Sequence, residues 1–172
     1  MKKIVLIITL CLAMLLSACG KKAEPAKQSR AVFYFDTVVT VTAYTDDSRI
    51  LDEMEAECLR YEKLLSKTVE GSDVWNINHA NGERVPVSDE TRWLIEKALE
   101  FSRSSGGRFD ISIEPCVGLW DFSGESAPVL PDADELAEAA ARVDWTKVDV
   151  NDEGVLVPAG MSIDLGAIAK GY

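Results

Sequence analysis

One segment near the end of the sequence combines residue types that could hold a phosphate. The carboxylate of Asp164 is followed by Gly166 and then by Lys170, where a helix should begin. Backbone N–H groups at a helix start and a lysine ammonium both attract phosphate oxygens. The spacing is neither that of a GxxxxGKS/T phosphate loop nor that of a GxGxxG dinucleotide fingerprint. An ordinary strand-to-helix turn with a solvated lysine fits the spacing equally well.

A second segment, residues 105–110, places two glycines before an arginine, a phenylalanine and an aspartate. Glycine has no Cβ atom, so backbone N–H groups there can approach a ligand closely. Asp110 could then accept hydrogen bonds from a ring N–H or a hydroxyl group. The other interpretation is a helix that ends at Gly106 and Gly107 and is followed by a strand.

Other catalytic arrangements find less support. His79 is the single histidine and lies in a polar stretch, so we expect an exposed loop histidine. No serine has a histidine and an aspartate set around it, which argues against a hydrolase triad. Glu114 precedes Pro115, where a bent strand could turn its carboxylate toward a site. The four tryptophans are expected mostly in the core.

The elements that must position these residues follow from the hydrophobic pattern. Residues 32–44 are rich in β-branched and aromatic side chains and predict one long strand or a strand pair. Residues 46–65 predict a helix, and residues 66–83 a loop. A second helix should begin after Ser88, a good N-cap, and end at the glycine pair.

Shorter elements are predicted in the second half of the chain. We expect mixed strand and turn over residues 109–120 and a short helix over 132–142. Residues 147–150 and 155–157 predict a hairpin. Residues 162–165 predict a final strand, which would carry Asp164 to the glycine turn.

Composition limits the classes of protein that the chain can belong to. Its 172 residues suit about one domain, and a hydrophobic fraction of 47% excludes a wholly disordered chain. Lys and Arg number 18 and Asp and Glu 29, for a formal net charge of −11. This acidic balance argues against a nucleic-acid partner, since such binding needs clustered basic residues.

The first 18 residues have the pattern of an export signal. Two lysines precede an apolar run that is shorter than the roughly 20 residues of a membrane span. The run ends in Leu16-Ser17-Ala18-Cys19, which resembles the lipobox of bacterial lipoproteins and implies acylation of Cys19. We therefore expect a lipid-anchored protein on the extracytoplasmic (periplasmic or outer) face of a bacterial cell membrane.

The predicted domain organisation follows from this leader. Residues 1–18 are the signal peptide, residues 19–31 the lipidated cysteine and a polar tether, and residues 32–172 the folded part. Export would leave Cys58 and Cys116 where a disulfide is possible, although two buried free thiols fit at least as well. The cysteine spacing gives no support for a zinc site.

Four segments, in order along the chain, resemble the ApbE family of FAD:protein FMN transferases. They are Phe35-Asp36-Thr37, residues 72–78 (SDVWNIN), residues 105–120 (SGGRFDISIEPCVGLW) and residues 164–172 (DLGAIAKGY). The resemblance covers residues 32–172 and implies an α+β fold of the T-fold-like kind, a mixed sheet with flanking helices. It also implies that this chain is a truncated, N-terminal portion of such a protein and has little activity alone. The catalytic residues are then expected in the missing C-terminal part.

The resemblance implies an activity as well. Members of the family bind FAD, use Mg²⁺ and transfer the FMN moiety to a Ser or Thr hydroxyl of a target protein, with release of AMP. The target would belong to an exported or membrane redox system. Two alternatives stay open: an FAD pyrophosphatase, in which water replaces the hydroxyl, and a surface lipoprotein that only binds flavin or another solute.

Site residues are carried over by motif from the same resemblance. The implied FAD contacts are Phe35, Thr68, Arg108, Phe109, Asp110, Asp164 and Lys170. The implied Mg²⁺ ligand is the backbone carbonyl of Ala167, which suits an ion that prefers oxygen ligands. The family often has Met and Tyr at the positions of Phe35 and Thr68, and Ala at that of Arg108.

Overall fold

The computed structural model describes residues 24–120, 122 and 129–172. The predicted signal peptide and the lipidation site Cys19 lie outside these residues. Within the described ranges, no helix is long and apolar enough to cross a membrane.

The first described element is an antiparallel hairpin. Strand β1 (Lys27–Tyr34) pairs with β2 (Thr37–Tyr44) along its whole length, which confirms the strand pair. Phe35 and Asp36 form the turn with positive φ angles of 58° and 54°. The tether boundary predicted at residue 31 falls inside β1, because pairing with a β-branched strand orders the polar residues from Lys27 onward.

Helix α1 (Arg49–Leu65) packs against this hairpin and confirms the first predicted helix. Arg30 on β1 joins the two elements, because its guanidinium lies 2.7 Å from both Asp52 and Glu55. The helix starts a little later than predicted, since the Asp47 side chain accepts the N–H of Arg49 and forms a turn there.

Helix α2 (Asp73–His79) occupies part of the segment predicted as a loop, so that prediction is wrong. The side chain of Ser72 accepts the N–H of Trp75 and caps the helix, whose Val74 and Ile77 are buried. Seven residues are too few to show a helical period among asparagines and glycines. His79 is exposed as expected, but it lies in this helix and stacks on Trp75 with 3.9 Å between ring centroids.

Helix α3 (Asp89–Ser104) confirms the second predicted helix together with both of its end signals. Ser88 caps its start, since its side chain accepts the N–H of Thr91. Gly106 and Gly107, with φ angles of 64° and 78°, reverse the chain after its end. The glycine pair therefore ends the helix, as one of the two interpretations held.

The predicted mixture of strand and turn after Phe109 is wrong in its strand component. Residues Ile111–Ile113 form a 3₁₀ turn and helix α4 (Glu114–Val117) follows directly. Asp110 caps the 3₁₀ turn, and Pro115 suits the first turn of a helix. These local signals outweigh the alternation of apolar residues that favoured a strand. Helix α5 (Ala133–Ala140) lies within the predicted short helix.

A second small sheet contains β3 (Arg84–Val85), β4 (Asp149–Asn151) and β5 (Gly154–Leu156) in the antiparallel order β3-β5-β4. A 3₁₀ turn, Trp145–Lys147, precedes β4. The pairing of β4 with β5 confirms the predicted hairpin. The final strand predicted over residues 162–165 is wrong, because these described residues form no strand. Helix α6 (Gly166–Ala169) follows the Asp164 turn.

The described residues thus form an α+β fold with two small antiparallel sheets and flanking helices, in agreement with the predicted class. The core draws on α2, α3, the second sheet with its flanking residues, the 3₁₀ turn at Ile111 and the segment before α6. Its members are Val74, Ile77, Leu94, Ile95, Ala98, Ile111, Val148, Val155, Val157, Ile163 and Leu165. None of the four tryptophans is fully buried, so the expectation that they fill the core is wrong. Aliphatic side chains fill it instead. Cys58 and Cys116 are half-buried free thiols.

Candidate functional site

Residues 163–166 form a turn, the Asp164 turn, which is held by segments far away in sequence. The Asn78 side chain donates to the Ile163 carbonyl at 2.9 Å and accepts the Ile163 N–H at 2.8 Å. The backbone N–H of Asp164 donates to the Ile111 carbonyl at 2.8 Å. Ile163 and Leu165 on either side are buried in the core. Tertiary contacts, rather than a strand, therefore fix where the Asp164 carboxylate stands.

Both oxygens of that carboxylate are engaged. Oδ1 accepts the backbone N–H of Gly166 at 2.6 Å, and Oδ2 accepts from Lys67 Nζ at 2.8 Å. Lys67 Nζ also donates to Glu114 Oε2 at 2.6 Å. The side chains of Lys67, Glu114 and Asp164 are 28%, 18% and 20% exposed, so they form a largely shielded charge cluster.

The three groups of the charge cluster have shifted pKa values. Burial works to raise the pKa of Asp164, but the hydrogen bonds from Lys67 and Gly166 outweigh it and hold that pKa below its usual value. Burial raises the pKa of Glu114, because the Lys67 hydrogen bond offsets it only in part. Burial disfavours the Lys67 ammonium, but both carboxylates leave its pKa raised. Asp164 is therefore ionised at neutral pH.

The lysine that contacts the Asp164 carboxylate is Lys67, which lies 97 residues earlier in the sequence. Lys170 is exposed and forms the C-cap of α6. Helix α6 has four residues, and Asp164 itself occupies the Gly166 N–H. The field of a helix start is accordingly weaker here than the sequence suggested.

The glycine segment contributes its three residues in different ways. Arg108 is exposed, and its guanidinium donates to the Ser105 carbonyl at 3.3 Å. Phe109 packs against the core and lies edge-on to Phe101, with ring centroids 6.3 Å apart. Asp110 is engaged within the protein: Oδ1 accepts the N–H and hydroxyl of Ser112, and Oδ2 the N–H of Trp145 at 3.3 Å.

Phe109 and Ala167 meet in an apolar groove of about 810 Å³ between α3 and α6. Its aromatic lining consists of Trp93, Phe101, Phe109 and Tyr172. Tyr172 packs on Trp93, with ring centroids 5.3 Å apart. The groove therefore brings together the two segments that the sequence singled out, and its aromatic lining suits a flat apolar ring.

Of the seven implied FAD contacts, only Phe109 is among the residues that line this groove. Two of the others, Phe35 and Thr68, belong to different segments of the chain. Phe35 is at the tip of the β1–β2 hairpin, where its N–H donates to Glu62 Oε1 at 2.8 Å. Thr68 is exposed, and its hydroxyl lies 3.1 Å from that of Ser66. Thr68 follows Lys67 directly, so it neighbours the charge cluster in sequence.

Sequence reasoning missed Lys67 and Asn78. The partners of Lys67 are 47 and 97 residues away, and the partner of Asn78 is 85 residues away. No local pattern marks these contacts, although Asn78 ends the segment 72–78 that resembles the family. Glu114 was noticed for the proline that follows it, and that proline was the one available signal.

Among the described residues, the metal donor that the resemblance implies is the carbonyl oxygen of Ala167. No group of three or more His, Cys, Asp or Glu in the described ranges could hold a metal ion. The Ala167 carbonyl oxygen fits a hard cation, and the N–H of Gly171 bonds to Ile168 instead of to Ala167. Asp164 and Glu114 are engaged by Lys67. A cation on Ala167 would therefore find both of these carboxylates already paired with Lys67.

Comparisons with known proteins agree with these motifs. Residues 35–172 match the ApbE family. An FAD:protein FMN transferase of Treponema pallidum is 32% identical over 180 residues, covering 96% of this chain and 49% of that protein. One from Klebsiella pneumoniae is 34% identical over 143 residues, covering 78% of this chain and 43% of that protein. The chain spans about half the length of the curated relatives it matches.

The fold is shared as well. The ApbE protein of Thermotoga maritima superimposes with a TM-score of 0.73 at 31% identity, covering 86% of this chain and 50% of that protein. The similarity therefore holds for the three-dimensional structure as well as for the sequence. On both grounds, the chain belongs to the ApbE family.

Proposed function

We propose that the protein containing this chain transfers the FMN moiety of FAD to a serine or threonine hydroxyl of a target protein and releases AMP. The observation that carries this proposal is the groove in which the segments of Phe109 and Ala167 converge beside the Asp164 turn. The relatives named FAD:protein FMN transferase support it. A protein of an exported or membrane redox system is the target class we propose.

The residues of this chain would bind and orient the dinucleotide. Aromatic side chains of the groove, such as Phe109 and Trp93, offer faces and edges for stacking on the flavin ring. The ionised carboxylate of Asp164 can accept hydrogen bonds from ligand hydroxyl or N–H groups. The exposed guanidinium of Arg108 has the fork geometry that suits phosphate oxygens.

The reaction is a phosphoryl transfer. The hydroxyl oxygen of the target forms a bond to the FMN phosphorus, the bond from that phosphorus to the AMP oxygen breaks, and the hydroxyl proton is lost. Such reactions depend on alignment and on neutralising charge at the phosphate oxygens. We propose Mg²⁺ as the ion that supplies this neutralisation when bound, with the Ala167 carbonyl as one ligand.

We further propose that Cys19 carries the lipid anchor on the extracytoplasmic face of a bacterial membrane. The supporting observation is the lipobox-like sequence that ends in this cysteine. Replacement Cys19→Ala should move the protein out of the membrane fraction and abolish incorporation of labelled palmitate. Unchanged labelling of the variant would reject this anchor.

The transfer itself can be tested with purified protein, FAD, Mg²⁺ and an acceptor domain that bears the target hydroxyl. Intact-mass spectrometry of the acceptor should show addition of one FMN, matched by AMP in solution. An acceptor with that residue replaced by alanine is the control and should stay unmodified. Absence of FMN attachment with every divalent metal tried would reject the proposal. AMP release without any acceptor would indicate a pyrophosphatase, and FAD binding without either product a binding protein.

A further inference from the structure

The charge cluster joins three separate segments through one ammonium group. Lys67 lies in the connection between α1 and α2, Glu114 begins α4, and Asp164 stands in the turn before α6. Lys67 Nζ is 2.6 Å from Glu114 Oε2 and 2.8 Å from Asp164 Oδ2. Any movement of the Lys67 side chain would thus change the surroundings of both carboxylates.

The two carboxylates depend on this lysine as their counterion. Both accept hydrogen bonds from the same nitrogen, so they lie close together. The Glu114 side chain is 18% exposed and the Asp164 side chain 20%. Like charges in a partly shielded place repel each other strongly. Without Lys67, one of the carboxylates would have to take up a proton or turn away.

Hydrogen bonds at both oxygens fix the plane of the Asp164 carboxylate. Its Oδ1 atom is held by the Gly166 N–H at 2.6 Å, and its Oδ2 atom by Lys67. Each carboxylate oxygen has two acceptor sites, so both keep capacity for a hydrogen bond from a ligand. Lys67, together with the Gly166 N–H, therefore sets the direction in which these free acceptor sites point.

We propose that Lys67 is a positioning residue, which holds Asp164 in the orientation that meets the bound nucleotide while Glu114 holds Lys67 in turn. This inference rests on the proposed function. It assigns to Lys67 and Glu114 a role in dinucleotide affinity that acts through Asp164. A merely structural role would change the stability of the fold and leave that affinity unaltered.

The test compares Lys67→Met, Lys67→Arg, Glu114→Gln and the double variant Lys67→Met/Glu114→Gln in the intact protein. The dissociation constant for FAD is measured by flavin fluorescence without divalent metal. We expect Lys67→Met to weaken FAD binding roughly tenfold, which corresponds to about 1.4 kcal/mol. Lys67→Arg should retain most of the affinity, because a guanidinium can reach both carboxylates.

The double variant tests the coupling. Removing the Glu114 charge relieves the repulsion that Lys67→Met creates, so the double variant should bind FAD more tightly than Lys67→Met alone. Lys147→Met is the matched control, since Lys147 is 57% exposed and pairs with Asp144 outside the cluster. Wild-type affinity in Lys67→Met, or additive losses in the double variant, would overturn the inference.

A ligand-free measurement separates this inference from the proposed function. The Gly166 amide proton, which is hydrogen-bonded to Asp164 Oδ1, should move upfield in the nuclear magnetic resonance spectrum of Lys67→Met. An unmoved Gly166 signal would overturn the positioning role even if the wild-type protein proved unable to bind FAD. Failure of the wild-type protein to bind FAD, with the Gly166 signal shifted, would count against the proposed function alone.

Discussion

The Asp164 turn and the β1–β2 hairpin are stabilised in opposite ways. The turn is held by side chains and backbone groups of Lys67, Asn78 and Ile111, all distant in sequence. The residues on either side of Asp164 are buried. The hairpin is held by its own ladder of backbone pairs and by α1. Its outer face leaves Phe33 and Val38 69% and 65% exposed.

This difference separates the part of the chain that carries the candidate chemistry from the part that does not. Long-range contacts fix a side chain in one orientation, which a binding carboxylate requires. A hairpin with one uncovered face gains little from burial, so its stability is largely local. Changes near the turn should accordingly cost more than matched changes in the hairpin.

The largest difference is expected for apolar truncations. Leu165→Ala should lower the free energy of unfolding by about 2–5 kcal/mol, because it leaves a cavity in the core. Phe33→Ala, at an exposed position of the hairpin, should change it by no more than about 0.5 kcal/mol. Urea unfolding followed by circular dichroism measures both variants. Equal losses would contradict the division between the two regions.

A polar truncation at the turn should have the next largest effect. Asn78→Ala removes both hydrogen bonds to the Ile163 backbone and should cost about 2 kcal/mol, since it leaves shielded backbone groups unpaired. Asn76→Ala is its control in the same helix, because that side chain makes one exposed hydrogen bond to the Gly71 carbonyl. The control should lose no more than about 0.5 kcal/mol. An equal loss of stability in Asn76→Ala and Asn78→Ala would show that the two hydrogen bonds to Ile163 contribute no more than one exposed hydrogen bond does.

The pH dependence of stability offers a finer test at the charge cluster. The pKa of Glu114 is raised in the folded protein, so the folded state holds this proton more tightly than the unfolded state does. The contribution of Glu114 to the free energy of unfolding is therefore fully present at low pH. It is lost as the pH rises from the pKa of an unfolded glutamate to the raised pKa of the folded protein. Relative to the wild type, Glu114→Gln should gain stability over that pH range in urea titrations. A constant difference between the two proteins at every pH would contradict the shift.

The smallest effect is expected where the hairpin meets α1. Arg30 pairs with Asp52 and Glu55, but these side chains are partly or largely open to water. Arg30→Ala should change the urea midpoint only slightly, and the change should fade as salt is added. A large change that persists in high salt would mean that this contact contributes more than a surface ion pair.

Sequence patterns predicted the elements whose signals are local. The ends of α3 were marked by Ser88 and the glycine pair, and the hairpin by its β-branched run. Helix α2 was missed because seven residues show no clear period. The strand predicted before Gly166 does not form. The backbone groups of these residues are hydrogen-bonded to the Asn78 side chain and to the Ile111 carbonyl and not to a neighbouring strand.

The same limit applies to the site. Motif resemblance predicted contacts at Asp164, Phe109 and Ala167. Phe109 and Ala167 line one groove, and Asp164 stands in the turn just before Ala167. Lys67 carries no motif, because its role depends on carboxylates that come near it only when the chain folds. Asp110 was identified as a ligand contact, but its neighbour Trp145, 35 residues later, could not be inferred from spacing.

The most direct test of the central claim is an FAD titration of the protein and of two aspartate variants. Asp164→Asn removes the charge held by Lys67 and Gly166. Asp152→Asn is the control, because it alters a fully exposed aspartate in the β4–β5 turn. We expect Asp164→Asn to weaken FAD binding at least tenfold, about 1.4 kcal/mol, and Asp152→Asn to bind FAD like the wild type. Wild-type affinity in Asp164→Asn would contradict the central claim.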